Sequence, residues 1–164
     1  MGHARTPTSI LFVCLGNICR SPLMEGLARA YCADWPEAPR FDSAGLGDWH
    51  AGEAPDPRAI AVARQHGVDI AGLRARAVVA EDFANFGLIL CADRDNLATL
   101  RRRAPRDGPA ELALFLDWAG VRERGDVPDP YTGGIAEFEA TFGRIALGAQ
   151  GVVARLRRAS VGAR

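Results

Sequence analysis

The sequence contains no lysine; its twenty basic residues are all arginine, and twenty acidic residues bring the formal charge to zero. A protein that grips a nucleic-acid backbone needs a basic surplus, so nucleic acid is not an expected partner. The arginine-only usage, beside abundant alanine and glycine, reads as codon bias in a GC-rich genome. No apolar run approaches the roughly 18 residues that a membrane-spanning helix requires. None precedes the first strand as a secretory signal would. Four cysteines (Cys14, Cys19, Cys32 and Cys91) are too few for a disulfide scaffold in 164 residues. With no signal in view, the expected setting is a reducing cytoplasm, with no membrane partner.

What is present is ordinary for a folded chain: 48% apolar and 24% charged residues, a length suited to one core. Residues 1–8 are polar, carry Pro7 and read as a flexible tail ahead of one domain over 9–164. Ser9-Ile10-Leu11-Phe12-Val13-Cys14 is a short apolar run of the kind buried on both faces of a sheet. A helix is expected from Ser21-Pro22, with proline in the first turn where its missing N–H costs nothing. Further strands are predicted at 40–44, 86–91 and 112–116. Helices are predicted over 57–66, from a cap at Asp93 to Arg103, and over 135–158. Strands alternating with helices predict a single three-layer α/β domain: a four-stranded parallel sheet with helices on both faces.

Ligands of open parallel sheets bind beyond the carboxyl ends of the strands. There the first strand runs into Cys14-Leu15-Gly16-Asn17-Ile18-Cys19-Arg20-Ser21 and then into a helix. Such a turn points several backbone N–H groups at one place, and the helix dipole adds partial positive charge. Gly16 takes a positive φ without penalty, and Asn17 is one of few other residues that tolerate it. The result is a cradle for a phosphate-like anion, to which Arg20 adds a bidentate pair of donors. The same field favours the thiolate of Cys14. The Cys-x5-Arg spacing recurs by chance; the strand before it, the Gly and Asn within it and the helix after it carry the argument.

Val13-Cys14-Leu15-Gly16-Asn17-Ile18-Cys19-Arg20-Ser21-Pro22 closely resembles the signature of the low-molecular-weight protein tyrosine phosphatases. The resemblance continues in register through Ser43-Ala44-Gly45, Trp49-His50-Ala51-Gly52, Pro55-Asp56-Pro57-Arg58-Ala59, Glu81-Asp82-Phe83 and Asp93. It ends in Asp126-Val127-Pro128-Asp129-Pro130-Tyr131. It implies a phosphotyrosine protein substrate, inorganic phosphate as product, and neither metal nor organic cofactor. It also implies roles. Cys14 would be the nucleophile forming a phosphocysteine, Arg20 the phosphate clamp and Asp129 the general acid, then base. Leu15 to Ser21 would form the phosphate-binding loop, with Asn17 fixing its backbone and Ser21 donating to the Cys14 sulfur. Leu15, Ile18, Trp49 and Tyr131 would line the slot for the substrate ring. Asp93 reads equally as a helix cap or as a partner of the loop.

Three positions depart from the family pattern. Thr132 follows Tyr131 where a second tyrosine is common, Leu73 stands where many relatives have a histidine supporting the loop asparagine, and Gly87 replaces a common aspartate. Two other activities share the fold. Protein arginine phosphatases generally carry threonine at the place of Ile18, whose apolar side chain favours a ring over a guanidinium. Thioredoxin-linked arsenate reductases need a downstream cysteine pair, whereas Cys91 stands alone. Cys19, in the same short loop as Cys14, is a candidate redox partner that could trap an oxidised Cys14 as a disulfide.

Overall fold

The computed structural model describes residues 6–162. Its strands are β1 (Ser9–Cys14), β2 (Arg40–Gly45), β3 (Leu88–Cys91) and β4 (Glu111–Leu114). The helices are α1 (Arg20–Tyr31), α2 (Pro57–Gln65), α3 (Asp82–Asn85), α4 (Arg94–Arg103), α5 (Phe115–Ala119) and α6 (Ile135–Gly162). The sheet order is β2-β1-β3-β4, and every pairing is parallel. β1 therefore lies inside the sheet, and all six of its residues are buried. That is why it reads as an unbroken apolar run.

The two faces of β1 divide the core. Ile10, Phe12 and Cys14 point into one cluster with α1, α2, α5 and α6, whereas Leu11 and Val13 join Phe83, Phe86, Leu97 and Leu100 on the other. Phe12 stacks on Phe41 at 6.0 Å between ring centroids and meets Phe115 edge-on at 5.9 Å. Truncating a buried phenylalanine of this kind costs about 3–5 kcal/mol, so this layer anchors the sheet under the loop that follows β1.

Two expected strands are shorter than predicted. The third starts at Leu88, because Phe86 caps the one-turn α3, whose apolar Phe83 had no helical repeat to reveal it. The fourth ends at Leu114, and Phe115 and Leu116 turn into α5 instead. Both residues are buried, so their apolar character did not distinguish strand from helix. Of the expected tail, residues 1–5 lie outside the described residues, and the Thr8 carbonyl accepts from the Arg40 N–H at 2.9 Å, one step beyond the strand pair. Among the described residues no helix is long and apolar enough to cross a membrane.

Candidate active site

The loop after β1 closes on itself at the carboxyl edge of the sheet. Cys14 ends the strand and Cys19 precedes the first helical residue; no side chain caps α1, so its first N–H groups stay open to the loop. Asn17, at φ +59°, takes the left-handed conformation, which was expected equally of Gly16. Gly16 keeps a negative φ, and its lack of a side chain instead lets the His50 ring approach. Gly45 holds a position that sequence reasoning passed over. A Cβ there would sit 2.9 Å from both the Gly16 carbonyl carbon and the Leu15 oxygen, so the loop can lie against β2 only if residue 45 is glycine.

One asparagine sets the direction of a buried hydrogen-bond chain. The Arg76 N–H donates to Asn17 Oδ1 at 3.0 Å, which leaves the amide nitrogen to face the other way. That nitrogen donates to Ser21 Oγ at 2.8 Å and to Ser43 Oγ at 3.0 Å. Ser43 passes its own hydrogen to Glu25 Oε1 at 2.7 Å. Ser21, already accepting from Asn17, has its hydrogen left for Cys14 Sγ, 3.0 Å away. The Asn17 N–H also reaches that sulfur, at 3.3 Å. Burial raises the Glu25 carboxyl above its usual range, against the opposing pull of Ser43 and Arg29. Asn17 thus has partners at both ends without a histidine at 73, where Leu73 packs on the core instead.

Arg20 is nearly enclosed, its side chain 3% exposed. Nη1 donates to Asp93 Oδ2 at 2.7 Å and to the Val127 carbonyl at 2.9 Å, while Nη2 lies 3.5 Å from Asp129 Oδ2. Burial alone would lower its pKa, but Cys14, Asp93 and Asp129 together carry it upward, so the guanidinium stays charged. Asp93 fills both of its candidate roles: Oδ1 accepts the Asn96 N–H as cap of α4, and Oδ2 holds Arg20.

The opening above the loop is a cavity of about 240 Å³ lined by Cys14, Leu15, Gly16, Ile18, Cys19, Arg20, Trp49, His50, Asp129 and Tyr131. All predicted rim residues meet there. Trp49 is exposed and Tyr131 about half exposed, and Trp49 lies flat across Gly47, where a Cβ would collide with its ring. His50 was missed as a lining residue, although its neighbour Trp49 was expected at the rim; its Nδ1 pairs with Glu53 at 2.8 Å. Cys19 is buried beneath the loop, and that burial, reinforced by Asp56 and Cys14, pushes its thiol well up from the ordinary range. Cys91 is likewise pushed up to about 12 by burial. Thr132 lies exposed in the turn after Tyr131. Among the described residues no group of three His, Cys, Asp or Glu could hold a metal ion.

Fold and loop together define a class: parallel α/β proteins whose first strand runs through a tight, thiol-bearing turn into a helix. The model of the low molecular weight phosphotyrosine protein phosphatase family matches residues 9–161. The chain belongs to that family of hydrolases. It is 39% identical over 138 residues to the low molecular weight phosphotyrosine protein phosphatase of Sus scrofa, covering 82% of this chain and 86% of that one. Its fold matches a protein tyrosine phosphatase from Entamoeba histolytica with a TM-score of 0.85 and 32% identity, over 92% and 97% of the two chains. A Drosophila arginine phosphatase matches with a TM-score of 0.82 and 28% identity, over 89% and 96%.

Proposed function

We propose that this enzyme hydrolyses phosphotyrosine in proteins through a phosphocysteine on Cys14, without metal or organic cofactor, as a cytoplasmic protein tyrosine phosphatase. The observation that carries this is the convergence of Cys14 Sγ, the buried Arg20 guanidinium and the Asp129 carboxyl on one cavity. The phosphoryl group sits in the loop from Leu15 to Ser21, its oxygens held by backbone N–H groups and Arg20. Cys14 attacks phosphorus in line and the P–O bond to tyrosine breaks. Asp129 gives its proton to the departing oxygen. The same carboxylate then takes a proton from water, which attacks phosphorus, releases inorganic phosphate and returns the thiolate. The Ser21 hydroxyl, 3.0 Å from the sulfur, is placed to donate to it whenever it carries negative charge, as nucleophile and as leaving group. Turnover of p-nitrophenyl phosphate in EDTA is the first test; an inactive, well-folded enzyme contradicts the proposal.

The likeness to an arginine phosphatase supplies a second reading, phosphoarginine hydrolysis at the same site. Ile18, only 9% exposed at the wall of the slot, favours an aryl ring, as do Trp49 and Tyr131. The expected ranking on purified enzyme is phosphotyrosine peptide well above phosphoarginine and phosphoserine. Ile18→Thr should move the phosphotyrosine-to-phosphoarginine ratio toward phosphoarginine by about tenfold, the scale of one or two buried methyl contacts in a pocket. A wild-type preference for phosphoarginine would replace the first reading with the second.

Cys19 is proposed as the redox partner of Cys14. Peroxide oxidises the Cys14 thiolate to a sulfenic acid, which condenses with the Cys19 thiol, losing water and forming a disulfide. Dithiothreitol should restore peroxide-treated wild type, and inorganic phosphate should protect it. Cys19→Ser should stay active but fail to recover after prolonged peroxide. Full recovery of that variant removes the redox role.

A further inference from the structure

The stretch of chain just after Asp129 is held by a side chain from α2, beside the contacts that Arg20 makes to Val127 and Asp129 and that Thr141 makes to the Pro128 carbonyl. Among the described residues, Arg58 on α2 is the only residue outside this stretch whose side chain hydrogen-bonds to residues 130–133. Its Nη2 donates to the Tyr131 carbonyl at 2.9 Å and its Nη1 to the Gly133 carbonyl at 2.8 Å. The guanidinium also lies 5.7 Å from the Tyr131 ring centroid and 4.4 Å from that of Phe138, the first buried residue of α6.

Arg58 is itself fixed. Asp56 accepts from its Nε at 3.0 Å and from its Nη2 at 2.9 Å, a bidentate pair, and caps α2 by accepting the Arg58 N–H. The Asp56 carboxyl is held below its usual range, chiefly by these hydrogen bonds from the Arg58 side chain. The Asp56 N–H in turn donates to the Ile18 carbonyl at 2.8 Å. A continuous path therefore runs from the phosphate loop at Ile18, through Asp56 and Arg58, to Tyr131. From there it reaches the proton donor, because the Tyr131 N–H donates to Asp129 Oδ1 at 3.1 Å. Asp129 has few other restraints: its side chain is 43% exposed, and Arg20 lies 3.5 Å away.

We propose that Arg58 is the positioning residue of the acid step: it fixes Asp129 and the Tyr131 wall relative to the phosphate loop. This rests on the reading of Asp129 as general acid. An acid displaced by about 1 Å loses much of its value, whereas phosphate binding does not depend on it. A lysine at 58 keeps the charge and the stem but cannot fork to two carbonyls and a carboxylate at once.

The test compares kcat/KM on phosphotyrosine, whose leaving oxygen needs a proton, with p-nitrophenyl phosphate, whose leaving group needs it little. Arg58→Met should lose about tenfold on phosphotyrosine and no more than about twofold on p-nitrophenyl phosphate, with inhibition by inorganic phosphate within about twofold of wild type. Arg58→Lys should fall between Arg58→Met and wild type, and it serves as the variant of reference if the methionine form melts below assay temperature. In an Asp129→Asn background, the same change should cost less than about twofold on phosphotyrosine, because the group it positions is gone. Equal losses on the two substrates, or full additivity with Asp129→Asn, would overturn the positioning role. If Asp129→Asn itself shows no dependence on leaving group, it is the reading of Asp129 that fails.

Discussion

Cys14→Ser should show no measurable turnover, a loss of at least about 10⁴-fold, the scale on which removal of an enzymic nucleophile registers. The reason lies in the environment and not only in the sulfur. The Asn17 N–H points at Sγ, the Ser21 hydroxyl lies 3.0 Å away with its hydrogen not taken by Asn17, and Arg20 stays charged at the far end of the loop. This arrangement rewards a negative atom at position 14. A serine hydroxyl has too high a pKa to be ionised there at neutral pH, so it would sit in the same cradle as a poor nucleophile. The loop should survive the change, since its shape rests on Asn17, Ser43, Gly45 and Asp93. Competition by inorganic phosphate, measured by calorimetry, should therefore be retained. A serine variant with a few per cent of wild-type activity would show that another residue attacks phosphorus.

Asp129→Asn should lower kcat/KM on phosphotyrosine by about 10²–10⁴-fold, the usual contribution of a positioned general acid. The loss on p-nitrophenyl phosphate should be much smaller. The amide retains shape and its contact with the Tyr131 N–H, so folding and phosphate binding should change little. Equal losses on both substrates would make Asp129 a structural residue of the loop. Its place at the rim, 43% exposed and near Arg20, suits a group that must meet a leaving oxygen and later a water.

The loop after β1 was the most legible part of the molecule, because the pattern that marks it is local. An apolar strand, a turn with Gly and Asn, and a helix start lie within one stretch of chain, and each has a physical signature. The split of roles inside the turn was not legible. Gly16 and Asn17 both tolerate positive φ, and only the close approach of His50 and Gly45 shows which residue needs what. Asp93 was similarly ambiguous, since a carboxylate that caps a helix looks the same in sequence as one that holds an arginine; here its two oxygens do both. The substitution of Leu73 for a supporting histidine looked like a loss to the loop. Its effect could be read only in three dimensions, where the Arg76 N–H, Ser21 and Ser43 satisfy Asn17. His50 and Arg58 lay within stretches that resembled the family, but neither had a role assigned, because His50 reaches the cavity from the β2–α2 connection and Arg58 reaches the Tyr131 carbonyl from α2, contacts that spacing does not show. Short elements failed for a related reason: α3 has four residues and α5 five, too few for a helical repeat to show.

The central claim is a covalent phosphoryl group on Cys14, and it can be observed directly. Enzyme turning over saturating p-nitrophenyl phosphate, whose good leaving group makes the first step fast, is denatured within milliseconds and digested. Mass spectrometry should find one phosphoryl group on the peptide that carries Cys14, localised to its sulfur, and none in Cys14→Ser treated identically. A phosphoryl group on any other residue, or an unmodified Cys14 in enzyme denatured during steady turnover, would contradict the account.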